Sequence, residues 1–209
     1  MKFYKRLADI FYAPFPNIRW KYPPYENTVY LTFDDGPYPP LTRPLLALLK
    51  HEQIPATFFL SGESIHRYRH DLEGIDYSGH QLGNHLYHHI PLFGLKTRRL
   101  VREINLTDEL ILKHWGRLVT VFRPPYGVFS PQLFPALQST SKKLVLWTSM
   151  AYDFKWDKGR ILKHLYYVVH AGDIVVFHDA PQAEKVLLEV LPPFIQHCRR
   201  KGWGFGGIQ

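Results

Sequence analysis

Apolar runs of four or five residues alternate with segments of helical periodicity, and this alternation recurs about seven times along the chain. The runs are continuously apolar, as expected for strands that are buried on both faces. Strands are predicted at residues 29–33, 56–60, 81–83, 119–122, 144–147, 174–177 and 204–208. The pattern therefore predicts parallel strands joined by helical crossovers, either as a barrel or as a doubly wound sheet.

The intervening segments are predicted to be helical at residues 41–50, 64–72, 97–115, 159–169 and 183–201. The third has the clearest pattern, because Leu100, Ile104 and Ile111 fall on one apolar stripe. The last contains Pro192-Pro193, which we expect to interrupt the helix because proline lacks an N–H donor. The sequence shows no internal repeat and no linker between domains, so we expect a single α/β domain.

Polar side chains follow four of the predicted strands, at the point where each strand ends. They are Asp34 and Asp35 after the first strand, His85 and His89 after the third, Arg123 and Tyr126 after the fourth, and His178 and Asp179 after the sixth. In a barrel of parallel strands, the active site lies at the carboxyl ends of the strands. This shared position favours an enzyme.

Two of these groups have the composition of a metal site. Asp34 and Asp35 precede a Gly-Pro turn that lets both carboxylates line one cavity, where a cation would relieve their repulsion. One carboxylate can then be a ligand and the other a base. His85 and His89 are four residues apart, which on a helical turn places both imidazoles on one face. Two histidines and one carboxylate leave positions open for water and substrate, as in catalytic zinc sites.

Other interpretations of these residues stay open at this point. His80 and His88 are rival ligands, although the spacing from His85 favours His89 over His88. The carboxylate pair is also compatible with a solvated Asp-Gly turn.

The two remaining groups supply a rigid turn and a titratable residue. Residues 123–127 read Arg-Pro-Pro-Tyr-Gly, in which two prolines remove donors and leave the N–H groups of Tyr126 and Gly127 free for a ligand. His178 ends an apolar strand, so we expect it to be partly buried with a pKa that its surroundings can shift.

Taken in order, these motifs resemble those of the polysaccharide deacetylases, which are the NodB-homology, carbohydrate esterase family 4 enzymes. The matching segments are Thr32-Phe33-Asp34-Asp35-Gly36-Pro37, Gly83-Asn84-His85 with His89, Arg123-Pro124-Pro125-Tyr126-Gly127, and Val176-Phe177-His178-Asp179. The resemblance extends over about residues 27–209. It implies a distorted (β/α) barrel of about seven parallel strands and one divalent metal ion, usually zinc. It also implies hydrolysis of N-acetyl or O-acetyl groups on sugars such as chitin oligomers, peptidoglycan or xylan.

The resemblance also implies a role for each matching residue. The metal ligands would be Asp35, His85 and His89. Asp34 would be the general base, with Arg123 as its charge partner. The N–H of Tyr126 would donate to the oxyanion, and His178 would be the general acid. Asp153 and His88 are auxiliary candidates.

Two positions depart from the family pattern. Leu86 stands where a hydroxyl residue usually braces the metal loop, and Met150 stands where an aspartate usually tunes the acid histidine. The resemblance therefore predicts an intact metal site but an altered pKa for His178.

The N-terminal segment, residues 1–26, is rich in basic and aromatic residues and precedes a catalytic domain predicted at residues 27–209. Asp9 and Pro14 break any apolar run that a secretory signal would need. The segment is expected to be either a strap on its own domain or an interfacial membrane segment. These features predict a cytoplasmic protein, or one associated with the cytoplasmic side of a membrane.

Composition excludes some classes of protein and leaves two alternatives to a sugar deacetylase open. A single cysteine excludes an intrachain disulfide framework, and the net charge of +8 favours anionic partners. An N-acetylated oligosaccharide or polysaccharide is the expected substrate, with peripheral contact to an anionic membrane and no nucleic acid. The alternatives are a hydrolase of amides outside sugars on the same fold, with or without a metal, and a non-catalytic domain that binds anionic partners.

Overall fold

The apolar runs of the sequence form the buried strands of a single parallel sheet. The structure is a computed structural model and describes residues 18–209. Its strands are β1 (Ile18–Arg19), β2 (Thr28–Asp34), β3 (Thr57–Leu60), β4 (Gln81–Asn84), β5 (Val121–Phe122), β6 (Lys143–Val145), β7 (Ser149–Met150), β8 (Ile174–His178) and β9 (Gly204–Phe205). Its α-helices are α1 (Pro39–His51), α2 (Gly62–Arg67), α3 (Thr97–Trp115), α4 (Leu133–Ser139), α5 (Lys158–Val168) and α6 (Leu187–Arg200).

The strands form one sheet in the order β1-β6-β5-β4-β3-β2-β8-β7, and β9 pairs with the start of β2. Every pair of strands is parallel, and the sheet curls into a half-barrel surrounded by helices. This architecture confirms the expected distorted (β/α) barrel in one domain. The described chain has nine strands rather than about seven, because β1 and β7 were not predicted.

The alternation of side chains along β2 divides the core into two layers. Val29, Leu31 and Phe33 point outward and pack against the surrounding helices. Tyr30 points inward and packs with residues of the other strands, including Phe59, Val121, Val145, Ile174 and Ile208. By the same alternation, Asp34 reaches the inner face at the carboxyl end of the barrel.

The long helices behave as amphipathic sequences predict, with one exception. The bounds predicted for α3 are confirmed, and its buried stripe contains Leu100, Ile104 and Ile111. The predicted interruption of α6 is wrong, because Pro192 and Pro193 lie inside one continuous helix. The two missing donors are outweighed there by a long stripe of buried side chains, which are Leu187, Val190, Leu191, Phe194, Ile195 and Cys198.

The structure describes only the last part of the N-terminal segment predicted at residues 1–26. Residues 1–17 lie outside the described residues, whereas Ile18 and Arg19 pair with β6 and Trp20 is buried. Whether residues 1–26 form a strap or a membrane-interfacial segment stays a prediction. Among the described residues, no helix combines the length and apolar character that crossing a membrane requires.

Candidate metal centre and active site

Three potential metal ligands converge at the carboxyl end of the barrel. The Oδ1 atom of Asp35 lies 3.4 Å from Nε2 of His85 and 3.3 Å from Nε2 of His89. One donor atom from each residue falls within 4.8 Å of the other two. The structure therefore brings together the three residues predicted as metal ligands.

The surroundings of these donors fit a divalent cation. Asp35 Oδ1 is buried and has no hydrogen-bond partner in the described part of the chain. Burial alone would raise the pKa of Asp35, but His85, His89 and His178 lower it to about 2. The pKa of His89 is lowered chiefly by burial, which favours the neutral imidazole that a metal requires. An orphaned carboxylate oxygen that faces two imidazole nitrogens matches the donor set of a zinc site.

The backbone of the protein fixes the imidazole of His85. Its Nδ1–H donates to the carbonyl oxygen of Arg123 at 2.7 Å, which leaves Nε2 as the free ring nitrogen. His85 is 2% exposed, so few other orientations are open to the ring. The carbonyl of Arg123, at the start of the rigid turn after β5, thus orients a candidate metal ligand.

The loop that carries both histidines is not helical, contrary to the predicted helical turn. Leu86 has a φ of 64°, and its N–H donates to the side chain of Asn84 at 2.9 Å. Asn84 is itself held by Asp108 and by the carbonyl of Ile104 in α3. The spacing of four residues brings the rings of His85 and His89 to 5.4 Å between centroids through a loop.

Leu86 does not leave this loop without support. Its side chain is completely buried in an apolar cluster with Leu100 and Ile104. Its carbonyl accepts a hydrogen bond from the N–H of Gly62, and the carbonyl of Tyr87 accepts one from the next residue, Glu63. Backbone contacts with the start of α2 therefore brace the loop where the family pattern has a hydroxyl.

The rival histidines face other partners. His88 donates from Nδ1 to the carboxylate of Glu103, at 3.0 Å to Oε2. The Nδ1 atom of His80 accepts a hydrogen bond from the N–H of Ala56 at 3.2 Å. Neither residue belongs to the three-donor cluster, so the structure separates His88, an auxiliary candidate, from the metal donors.

Asp34 and Arg123 form an ion pair inside the barrel. Nη1 of Arg123 donates to Asp34 Oδ1 at 2.7 Å and to the hydroxyl of Thr32 at 2.7 Å. The guanidinium is completely buried, lies over the ring of Phe59 and donates to the carbonyl of Leu146. An ion pair in such a position needs these additional hydrogen bonds to offset the loss of hydration. The contact with Thr32 was not predicted, although the period of two along β2 places Thr32 and Asp34 on one face.

His178 forms the second ion pair, with Asp153. Its Nδ1–H donates to Asp153 Oδ1 at 2.7 Å, and its backbone N–H donates to Oδ2 at 2.7 Å. Burial would lower the pKa of His178, but Asp153, together with the charges of Asp35 and Asp34, raises it to about 9. An altered pKa of His178 was expected because Met150 stands where the family pattern has an aspartate. In the structure, the carboxylate that binds the His178 ring belongs to Asp153, an auxiliary candidate.

The turn after β5 presents one free donor rather than two. Gly127 donates its N–H to the carbonyl of Pro124 at 3.0 Å, so it is not available to a ligand as predicted. Tyr126 has a φ of 61°, and its N–H has no acceptor among the hydrogen bonds of the described chain. Its ring packs edge-on against His89, with 4.6 Å between centroids. Tyr126 thus adjoins the metal donors and keeps its backbone donor free.

Comparison with known proteins identifies the family. The family model for polysaccharide deacetylases matches residues 21–145. The chain belongs to the polysaccharide deacetylase family. A relative from Bacillus cereus, peptidoglycan-N-acetylglucosamine deacetylase, is 27% identical over 191 residues, covering 90% of this chain and 89% of the relative. The peptidoglycan-N-acetylmuramic acid deacetylase PdaA of Bacillus subtilis is 27% identical over 188 residues, covering 88% of this chain and 70% of the relative.

A solved structure supports the same assignment for the fold of this family member. The crystal structure of the Bc1960 peptidoglycan N-acetylglucosamine deacetylase, in complex with 4-naphthalen-1-yl-N-oxidanyl-benzamide, superimposes with a TM-score of 0.88. It is 26% identical in sequence, and the match covers 96% of this chain and 95% of that protein. The half-barrel therefore corresponds to the fold of a polysaccharide deacetylase.

Proposed function

We propose that this chain is a metal-dependent hydrolase that removes an N-acetyl group from an aminosugar in a polysaccharide, with peptidoglycan as the first substrate to test. The observation that carries the proposal is the buried, unpartnered Oδ1 of Asp35 facing Nε2 of both His85 and His89. The ion pairs of Asp34 and His178 adjoin this cluster. The donor set also favours this function over a metal-free amide hydrolase, which has no use for three converging ligands.

Asp35, His85 and His89 would hold the divalent ion, with zinc the metal that best fits this donor set. When bound, such an ion supplies a Lewis acid and lowers the pKa of a coordinated water towards neutrality. The carboxylate of Asp34 then accepts the proton of the attacking water. Arg123 orients that carboxylate by donating to its Oδ1, which leaves Oδ2 for the water.

The Tyr126 N–H is the oxyanion donor of this proposal. The tetrahedral carbon that forms on attack carries a negative oxygen, and a backbone N–H without an acceptor can donate to it. One such donor typically contributes roughly 3–4 kcal/mol of transition-state stabilisation. The positive φ of Tyr126 and the hydrogen bond of Gly127 fix the direction of this N–H before substrate binds.

His178 acts as the general acid in this reaction. The amine of the sugar is a poor leaving group unless its nitrogen is protonated as the carbon–nitrogen bond breaks. The raised pKa of His178, about 9, keeps a proton on the ring at neutral pH. Asp153 binds Nδ1–H, so the proton on Nε2 is the one available to the leaving nitrogen.

The test is acetate release from N-acetylated peptidoglycan and from chitin oligomers. We expect release by the wild-type chain and a loss of about 10²–10⁴ in kcat for Asp34→Asn, the range typical of general base removal. Asp76→Asn, at an exposed position, is the control and should leave kcat unchanged. Unchanged release by Asp34→Asn would contradict the proposed mechanism. If acetate is released only from amides that are not part of a sugar, the proposed substrate class is wrong.

The compartment and the membrane contact of the N-terminal segment stay predictions, and one deletion tests the membrane contact. Removing residues 1–17 leaves β1 in place. If the segment binds anionic membranes, the shortened chain should fold but no longer sediment with anionic vesicles. If the segment is a strap, the deletion should instead lower the thermal stability of the domain.

A further inference from the structure

Asp179 ends the last sequence motif and takes no part in the chemistry proposed above. Its side chain is completely buried, beside the turn that carries Asp34 and Asp35. One carboxyl oxygen, Oδ1, has no hydrogen-bond partner in the part of the chain that the structure describes. A buried carboxyl group with an unsatisfied oxygen is costly, so a compensating role is expected.

The contacts of Asp179 all lead to the turn at residues 34–38. Its backbone N–H donates to the carbonyl of Asp34 at 2.8 Å, which extends the pairing of β8 with β2. Its Oδ2 lies so close to Gly36 that a Cβ atom there would come within 2.4 Å of it. The backbone of the turn therefore passes directly over the carboxyl group.

A hydroxyl relay ties the far end of the turn to the same carboxyl group. The hydroxyl of Thr42 in α1 donates to Asp179 Oδ2 at 2.7 Å and accepts a hydrogen bond from the N–H of Tyr38 at 2.8 Å. Both ends of the turn are thus held at Asp179: its backbone N–H binds the carbonyl of Asp34, and its side chain binds the Thr42 hydroxyl that accepts the N–H of Tyr38. Asp35, the metal donor, lies between these two attachments.

These contacts need a hydrogen-bond acceptor and a close fit, because the Thr42 hydroxyl is a neutral donor and Gly36 is a steric neighbour. Burial raises the pKa of Asp179 to about 7, even though hydrogen bonds from Thr42 and Tyr38 oppose this rise. An asparagine of the same shape could accept the Thr42 hydroxyl equally well through its own Oδ1.

We propose that Asp179 is a positioning residue that holds the turn at residues 34–38 by accepting the Thr42 hydroxyl and packing under Gly36. In this role it sets the direction of the base Asp34 and of the metal donor Asp35. The inference rests on the proposed function, because it concerns the same site. It adds a residue that touches neither substrate nor metal.

The test measures Zn²⁺ affinity of the full chain by calorimetry for Asp179→Ala, Asp179→Asn and Thr42→Val. We expect Asp179→Ala and Thr42→Val to weaken binding by about 10–100-fold, the range for loss of an outer-shell contact. Asp179→Asn should stay within about threefold of wild type, because it keeps the shape and the acceptor. Thr57→Val is the matched control: Thr57 is also buried, and its hydroxyl accepts the N–H of Ile208 away from the site.

Kinetics separate positioning from general stability. If the turn is misplaced, Asp179→Ala should lower kcat more than it changes KM, and Asp179→Asn should restore kcat. Thr57→Val should lower the melting temperature without changing Zn²⁺ affinity.

Several results would overturn the inference. If Asp179→Ala binds Zn²⁺ as tightly as wild type, Asp179 has no positioning role. If Asp179→Asn loses as much Zn²⁺ affinity as Asp179→Ala, the effect comes from the charge of the side chain and not from its shape. If Asp179→Ala does not fold, the Zn²⁺ affinity of Thr42→Val is compared with that of Thr57→Val. Equal affinities in those two variants would contradict the inference. A wild-type chain that binds no Zn²⁺ would overturn the proposed function and this inference together.

Discussion

The two ion pairs of the site have the same length but opposite arrangements. Arg123 and Asp34 are 2.7 Å apart, and the cation is the completely buried member. His178 and Asp153 are also 2.7 Å apart, but there the carboxylate is completely buried and the cationic imidazole faces the site. In each pair, the buried partner binds the group to which the proposed function assigns a catalytic role.

Under the proposed function, this difference would let one site hold a base and an acid at the same pH. Arg123 stays protonated at any pH relevant to the protein, so its contact with Asp34 is permanent. Asp153 acts on a group that titrates, and with Asp35 and Asp34 it raises the pKa of His178 to about 9. Pairs of titratable groups whose surroundings favour opposite protonation states mark acid and base assignments.

Of the substitutions that test this comparison, replacing the buried Arg123 should have the largest effect. We expect Arg123→Met to lower the free energy of unfolding by about 3–5 kcal/mol, because Asp34 is left without its buried partner. Chemical denaturation measures this loss. Arg199→Met is the control, since Arg199 pairs with Glu52 at a partly exposed position and should cost at most about 1 kcal/mol. Equal losses in the two variants would show that burial of the pair is unimportant.

Removing the buried carboxylate should change the pH profile rather than the fold. The working form of His178 is protonated, so kcat/KM should fall as the pH rises through its pKa of about 9. In Asp153→Asn the largest of the influences that raise the pKa of His178 is lost, while burial, which favours the neutral ring, remains. The alkaline fall should move towards or below the ordinary histidine value of about 6.5.

The control for this shift is Asp157→Asn. Asp157 lies on the same loop but caps the exposed start of α5 by accepting the N–H of Arg160. Its substitution should leave the alkaline fall of kcat/KM in place. An unchanged profile in Asp153→Asn would refute the role assigned to the second ion pair.

The smallest effect is expected at Tyr126, where the backbone rather than the side chain is assigned to catalysis. The Tyr126 hydroxyl donates only a long hydrogen bond, 3.4 Å, to the carbonyl of His89. Tyr126→Phe should therefore keep kcat/KM within about threefold of wild type. A hundredfold loss of kcat/KM would indicate that the phenol, rather than the backbone N–H, donates to the oxyanion. The site would then depend on a side chain outside the two ion pairs.

Most of the fold could be predicted because its signals are long or repeated. The buried apolar stripe of α3 runs from Leu100 to Ile111, about three turns, and every predicted strand lies at a buried strand of the structure, except that β9 is partly exposed. The unpredicted strands β1 (Ile18–Arg19) and β7 (Ser149–Met150) have two residues each, one of them polar, so no apolar run marks them. The continuous α6 was mispredicted because Pro192 and Pro193 are local signals, whereas the buried stripe that holds the helix is a tertiary effect.

The sequence indicated which residues come together at the candidate site, but not the geometry in which they do so. The spacing of His85 and His89 selected the two histidines that the structure brings to Asp35, yet the loop conformation depends on Asn84 and α3, which spacing does not reveal. The tuning of His178 was assigned to the position of Met150, because a motif does not show which carboxylate reaches the ring. The support from Asp179 depends on contacts between β8, α1 and the turn after β2, and only the folded chain brings these together.

The most direct test of the account is the zinc content of His89→Ala compared with His88→Ala. The two histidines are neighbours in one loop, but only His89 faces Asp35 while His88 binds Glu103. Elemental analysis of chains purified without chelator or affinity metal, then equilibrated with Zn²⁺, should give about one ion per chain for wild type and His88→Ala. His89→Ala should lose it. Equal zinc content in the two variants, or no zinc in the wild-type chain, would contradict the metal centre on which the account rests.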